Sequence, residues 1–150
     1  MADSALKQQL TEAMKSAMRA KDKERLGTLR LALSEVKKVE VDERIEPDDA
    51  RILSILDKMV KQRRESVRQF EAGGRQDLAE KEAREIDVLQ EFLPEALDEA
   101  ELTALIQTAI AETKAESMRD MGKVMALVKP KVQGRADMGE VSKQIKNLLD

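Results

Sequence analysis

The sequence has no cysteine, histidine, tryptophan or tyrosine, and only two phenylalanines and three prolines in 150 residues. Each absence removes a class of chemistry. Without Cys or His there is no thiolate nucleophile, no imidazole general base, and no Cys/His zinc or haem site. Phe70 and Phe92 alone make no aromatic platform on which single-stranded bases stack. Disulfides cannot form, so nothing ties the chain to an oxidising compartment. The opening MADSALKQQLTEAM has no apolar core of signal-peptide length, and no stretch approaches the roughly 18 apolar residues of a membrane span. These features lead to the expectation of a soluble, cytoplasmic protein.

What is present is helix-forming. Ala, Glu, Lys, Leu, Arg, Gln and Met dominate, and charged residues make up 38% of the chain. Apolar residues recur at helical spacing nearly throughout, and no strand alternation competes. A first helix is predicted over 4–20, with Leu6, Leu10, Met14 and Met18 on one face. A second runs over 23–42, carrying Leu26, Leu29, Leu33, Val36 and Val39. Pro47 leads into a third over 48–71, whose stripe runs from Ile52 to Phe70, and Gly73-Gly74 stops it. A fourth follows over 77–92. Past Pro94, Asp98 with Glu101 resembles a capping box that opens a fifth helix. Ser117 caps a sixth, with Met118, Met121, Val124, Met125 and Val128 facing one way; Pro130 ends or kinks it and Gly134 closes the turn. Asp137, with Glu140 three residues on, opens a seventh lined by Met138, Val141, Ile145, Leu148 and Leu149. The expected architecture is all-α: a four-helix N-terminal bundle over 1–94 and a compact three-helix bundle over 95–150.

The net charge of −3 excludes a globally basic nucleic-acid binder but hides an uneven distribution. Residues 1–94 are net −1, residues 95–116 are net −5, and residues 117–149 are net +4. Lys143 and Lys146, three apart, share a helix face, while Lys129, Lys131 and Arg135 surround the turn before it. With Lys123 they form a basic island able to hold phosphates. A solvated helix surface explains the same charges, and charge alone favours that reading. Arg63, nearer the apolar stripe of the third helix than its neighbours, is suited to pair with Glu82 or Glu85 and pin two helices together. Gly122 inside a helix costs roughly 1 kcal/mol against alanine, which points to close packing of another helix there or to a partner's backbone. The eight methionines read as core filler or as an adaptable partner groove. No glycine-rich phosphate loop, nucleophile elbow or metal-ligand cluster recommends catalysis, and no cofactor is expected.

Seven segments then stand in order along the chain: TLRLALSEVK (28–37), KQRRES (61–66), FEAGGRQDLAEKE (70–82), FLPEAL (92–97), MRDMGKVM (118–125), KPKVQGRADM (129–138) and VSKQIK (141–146). Together they resemble the YqeY-like proteins of the GatB/YqeY group, which are similar to the C-terminal tail of the B subunit of the glutamine-dependent tRNA amidotransferase. The resemblance implies two helical bundles and a tail domain that helps hold a misacylated tRNA. Positions matching the tail's motifs are Gly122, Lys123, Gly134, Arg135, Ala136 and Asp137, with Asp137 assigned to helix capping. The amidotransferase activity itself, a carbon–nitrogen ligation with glutamine as amido donor, needs an ATP cradle, a metal cluster and a glutaminase nucleophile that this sequence does not display. The expectation is therefore a non-catalytic module that binds tRNA, or an aminoacyl-tRNA-processing complex, through Lys123, Lys129, Lys131, Arg135, Lys143 and Lys146. A protein–protein adaptor, or an accessory subunit of such a ligase, is the alternative.

Overall fold

A computed structural model describes residues 4–150 and contains helices but no strand among them. The chain divides into one compact unit ending at Pro94 and another from Glu95 to Asp150.

The first unit holds α1 (Ala5–Arg19), α2 (Lys23–Glu43), α3 (Asp49–Ala72) and α4 (Gln76–Gln90). Three of these helices start on a side chain that accepts a backbone N–H of the first turn. Ser4 accepts from Lys7 at 3.2 Å, Asp22 from Arg25 at 3.1 Å and Asp48 from Arg51 at 2.9 Å. Gly74, at φ +72°, supplies the left-handed residue after α3. Leu10, Leu29, Ile52, Leu56 and Leu89 are fully buried at the centre, and Ala17, Ala32 and Ala79 let the helices approach. Asp49, in the first turn of α3, clamps the start of α1: it accepts from the Ser4 hydroxyl and from the Leu6 N–H at 3.1 Å.

The second unit holds α5 (Glu99–Thr113), a 3₁₀ turn (Met118–Asp120), α6 (Met121–Val132) and α7 (Met138–Leu149). Asp98 accepts from the Glu101 N–H at 2.7 Å. Its core is aliphatic, with Ile106, Val124, Val128, Val132, Val141 and Ile145 essentially inaccessible.

Four local expectations are corrected. Ser117 is a cap as expected, in a capping box with Asp120, whose carboxylate takes the N–H groups of Glu116 (3.0 Å) and Ser117 (3.4 Å); but the turn it caps, Met118–Asp120, is 3₁₀, and α6 proper begins only at Met121. Met118 is left 39% exposed. Pro130 does not end α6, which continues for two residues to Val132; so near the C-terminus it disturbs only the final turn of the helix. Met18 and Leu148, expected on buried stripes, are 48% and 45% exposed. In each case the adjacent residue, Ala17 or Leu149, takes the buried position.

Candidate phosphate-binding residues of the C-terminal unit

The cations expected to contact phosphate lie on α6, on α7 and in the turn between them. On α7, Val141, Ile145 and Leu149 define the buried side. At about 100° per residue, Lys143 and Lys146 lie about 60° apart on the opposite, outward side; both are exposed. On α6 the same spacing fans the lysines out. Lys123, Lys129 and Lys131 are all exposed; Lys123 and Lys131 lie about 80° apart, and Lys129 is more than about 100° from either. Among the described residues none of these five lysines forms an ion pair. Three of them, Lys129, Lys131 and Lys146, fall in the last turn of their helices, where a cation also complements the carbonyl ends.

Arg135 stands apart from the lysines. It is half-buried, its Nε donates to the Glu95 carbonyl at 3.0 Å, and its own carbonyl accepts from the Leu97 N–H at 2.9 Å. Both bonds stitch residues 95–97 to the turn before α7, so one edge of the guanidinium is already engaged in folding. Gly134, at φ +75°, makes that turn possible. Asp137 caps α7 by accepting from the Gly139 N–H at 3.4 Å.

Gly122 corrects an expectation. A Cβ there would meet no atom within 4 Å, and the residue is exposed in the first turn of α6. No helix packs against it. Glycine's cost is backbone entropy and is quoted for helix interiors, so a place in the first turn needs no packing partner to explain it.

Lys143 also borders an open groove of about 580 Å³ between α5 and α7, beside Ala100, Thr103, Ala104, Glu140 and Gln144. Thr103 Oγ1 donates across it to Gln144 Oε1 at 3.4 Å. Carboxylates Glu99 and Glu140 on its walls make it a poor phosphate cradle.

In the first unit, Arg63 Nε donates to Glu85 at 3.0 Å, and its Nη1 reaches the Met59 carbonyl at 3.3 Å. Of the two carboxylates considered for it, Glu85 is the partner. Among the described residues no group of three or more acidic side chains is arranged to hold a metal, and no helix is long and apolar enough to cross a membrane.

The profile of the Yqey-like protein family matches residues 7–149. Altered inheritance of mitochondria protein 41, mitochondrial, of Pyrenophora tritici-repentis is 33% identical over 139 residues, covering 91% of this chain and 76% of the relative. The protein of the same name in Eremothecium gossypii is 38% identical over 110 residues, covering 71% and 60%. An uncharacterized protein of Schizosaccharomyces pombe is 35% identical over 79 residues, covering 53% and 64%. Part of each relative therefore lies outside the match. These names overturn the cytoplasmic expectation: the first two relatives are named mitochondrial. A lack of cysteine and of long apolar runs does not separate one compartment from the other, so the expectation had no physical hold.

Proposed function

The chain belongs to the YqeY-like family, and on that premise we propose that it is a non-catalytic helical module that holds tRNA, or a complex carrying tRNA, through its second unit. In this reading the second unit is a three-helix bundle of the amidotransferase tail type, preceded by a four-helix bundle. The observation that supports the reading is the set of exposed lysines without ion-pair partners, Lys123, Lys129, Lys131, Lys143 and Lys146, within a segment of net charge +4. Lysines so placed act as point charges on phosphate and release counterions when they bind. Arg135 is a positioning residue for the turn that carries α7. No step of the amidotransferase reaction is assigned to this chain; any part in it runs through other subunits.

The test is binding of labelled bulk tRNA to the purified chain across a potassium chloride series, beside a variant with Lys143→Glu and Lys146→Glu. Removing one lysine–phosphate pairing reduces the slope of log K against log salt by about one. An unchanged slope and affinity in the variant overturns the assignment to α7. The groove between α5 and α7, with alanines on one wall, favours a second reading as a protein-docking module, and absence of tRNA binding at low salt would leave that one standing.

A further inference from the structure

The first unit is net −1, and its total conceals an ordered row of cations on α2. Lys23, Arg30, Lys37 and Arg44 recur every seven residues, the first three within α2 and the last as its C-terminal cap. All four are exposed, as is Lys38. Two helical turns separate successive members, so they drift by only about 20° per step and stand about 10.5 Å apart. The row is thus nearly straight and spans about 31 Å.

Cations at this spacing beside a helix–helix seam ordinarily meet acids from the partner helix. Here they do not. Leu26 and Leu29, Leu33 and Val36 form the seam side of α2, and Lys7 of α1 reaches Glu40 across it at 2.8 Å. The residues that share that edge of α1 with Lys7 at helical spacing are Thr11, Met14 and Met18, none of them acidic. Along α2 itself the acidic residue nearest to the row is that same Glu40, about 70° around the helix. Glu24, Glu35, Asp42 and Glu43 lie still further round; Glu24 is held by Arg84 at 2.6 Å and Glu43 by Arg51. Among the described residues no ion pair joins any member of the row.

We propose that this row is a second RNA-binding surface, which takes the phosphodiester backbone of the RNA already assigned to the second unit and so rests on that reading. A phosphate strand matches it by charge complementarity and length. Phosphates follow one another every few ångströms along a nucleic-acid strand, so the row spans several of them at once. It would add affinity without reading sequence, because point charges on phosphate fix register and carry no base information. The scattered exposed Leu31, Val41 and Ile45 make no continuous apolar face beside it for a membrane.

The experiment uses the full chain and labelled bulk tRNA over the same salt series. The row variant carries Lys23→Gln, Arg30→Gln and Lys37→Gln. A control of equal net charge carries Lys58→Gln, Arg64→Gln and Lys81→Gln, three exposed cations of α3 and α4 without ion pairs. Glutamine is a good helix former at exposed sites, and unchanged circular dichroism melting verifies the fold of both. The expected result is a salt slope smaller by about two to three and an affinity lower by about tenfold or more for the row variant, with the control near wild type. Equal behaviour of row variant and wild type overturns the proposal, and so does an equal drop in the control. The α7 variant run alongside separates the two assignments. Weakened binding in the row variant alone keeps the α2 surface and removes the α7 site, weakened binding in the α7 variant alone does the reverse, and no binding by wild type removes both.

Discussion

Removing the Arg63 guanidinium should destabilise the first unit far more than removing an ordinary surface charge. The side chains of Arg63 and Glu85 are only 13% and 14% exposed, and they join α3 to α4 at 3.0 Å. Exposed ion pairs contribute about 0–1 kcal/mol, whereas breaking a buried pair from one side costs about 3–5 kcal/mol because the remaining charge is stranded. A pair on a helix seam with a rim of solvent falls between, so Arg63→Met should cost about 2 kcal/mol. Methionine keeps the aliphatic stem in place, which isolates the charge from packing. For a unit of this size that change lowers the melting temperature by roughly 8–16 °C. The Arg63→Met, Glu85→Met double variant should recover most of the stability, since two apolar side chains strand no charge. Urea and thermal unfolding of the wild type, both single variants and the double variant close the cycle. Single variants that melt with the wild type, or a double variant whose effects simply add, would refute the pairing as a stabilising interaction.

Gly134→Ala should cost about 1–2 kcal/mol, because φ +75° places a Cβ against the following carbonyl; a wild-type melting curve would show that the turn has another conformation open to it. Gly122→Ala should instead stabilise, by roughly half a kcal/mol, since the position is helical with open space around its Cβ; a drop in stability there would reveal a close neighbour. The Ser4 hydroxyl, and then the Leu6 N–H, hold the Asp49 carboxyl below its ordinary value. A carboxylate with a depressed folded pKa adds stability that is complete above its unfolded pKa and is lost as pH falls through the folded one. Wild-type melting temperature should therefore fall more steeply than that of Asp49→Asn below about pH 4, and parallel curves would remove Asp49 from the acid limb.

The helices were legible because their signals are local. Apolar spacing marked each buried face, and Asp98, Asp137 and the Gly73-Gly74 pair marked ends within a residue or two, since a cap bonds only to its own first or last turn. The α2 row was equally present in the sequence at a spacing of seven, but summing charge over 94 residues cancelled it against acids on other faces. Arg135 shows the opposite limit. Nothing in its neighbours indicates that its guanidinium is bonded to a carbonyl forty positions earlier.

The sequence by itself therefore determined the helical class, the order of the elements, most of their ends and the family. Those follow from propensity, periodicity and motifs read along one chain. Only the tertiary structure decided which residues of an apolar stripe are left outside, such as Met18 and Leu148, and which cations are already engaged, such as Arg63 and Arg135. A stripe says which way a side chain points along its own helix. Whether an aliphatic neighbour, a carboxylate, a carbonyl or water meets it there depends on another segment of chain, and that is fixed only when the helices pack.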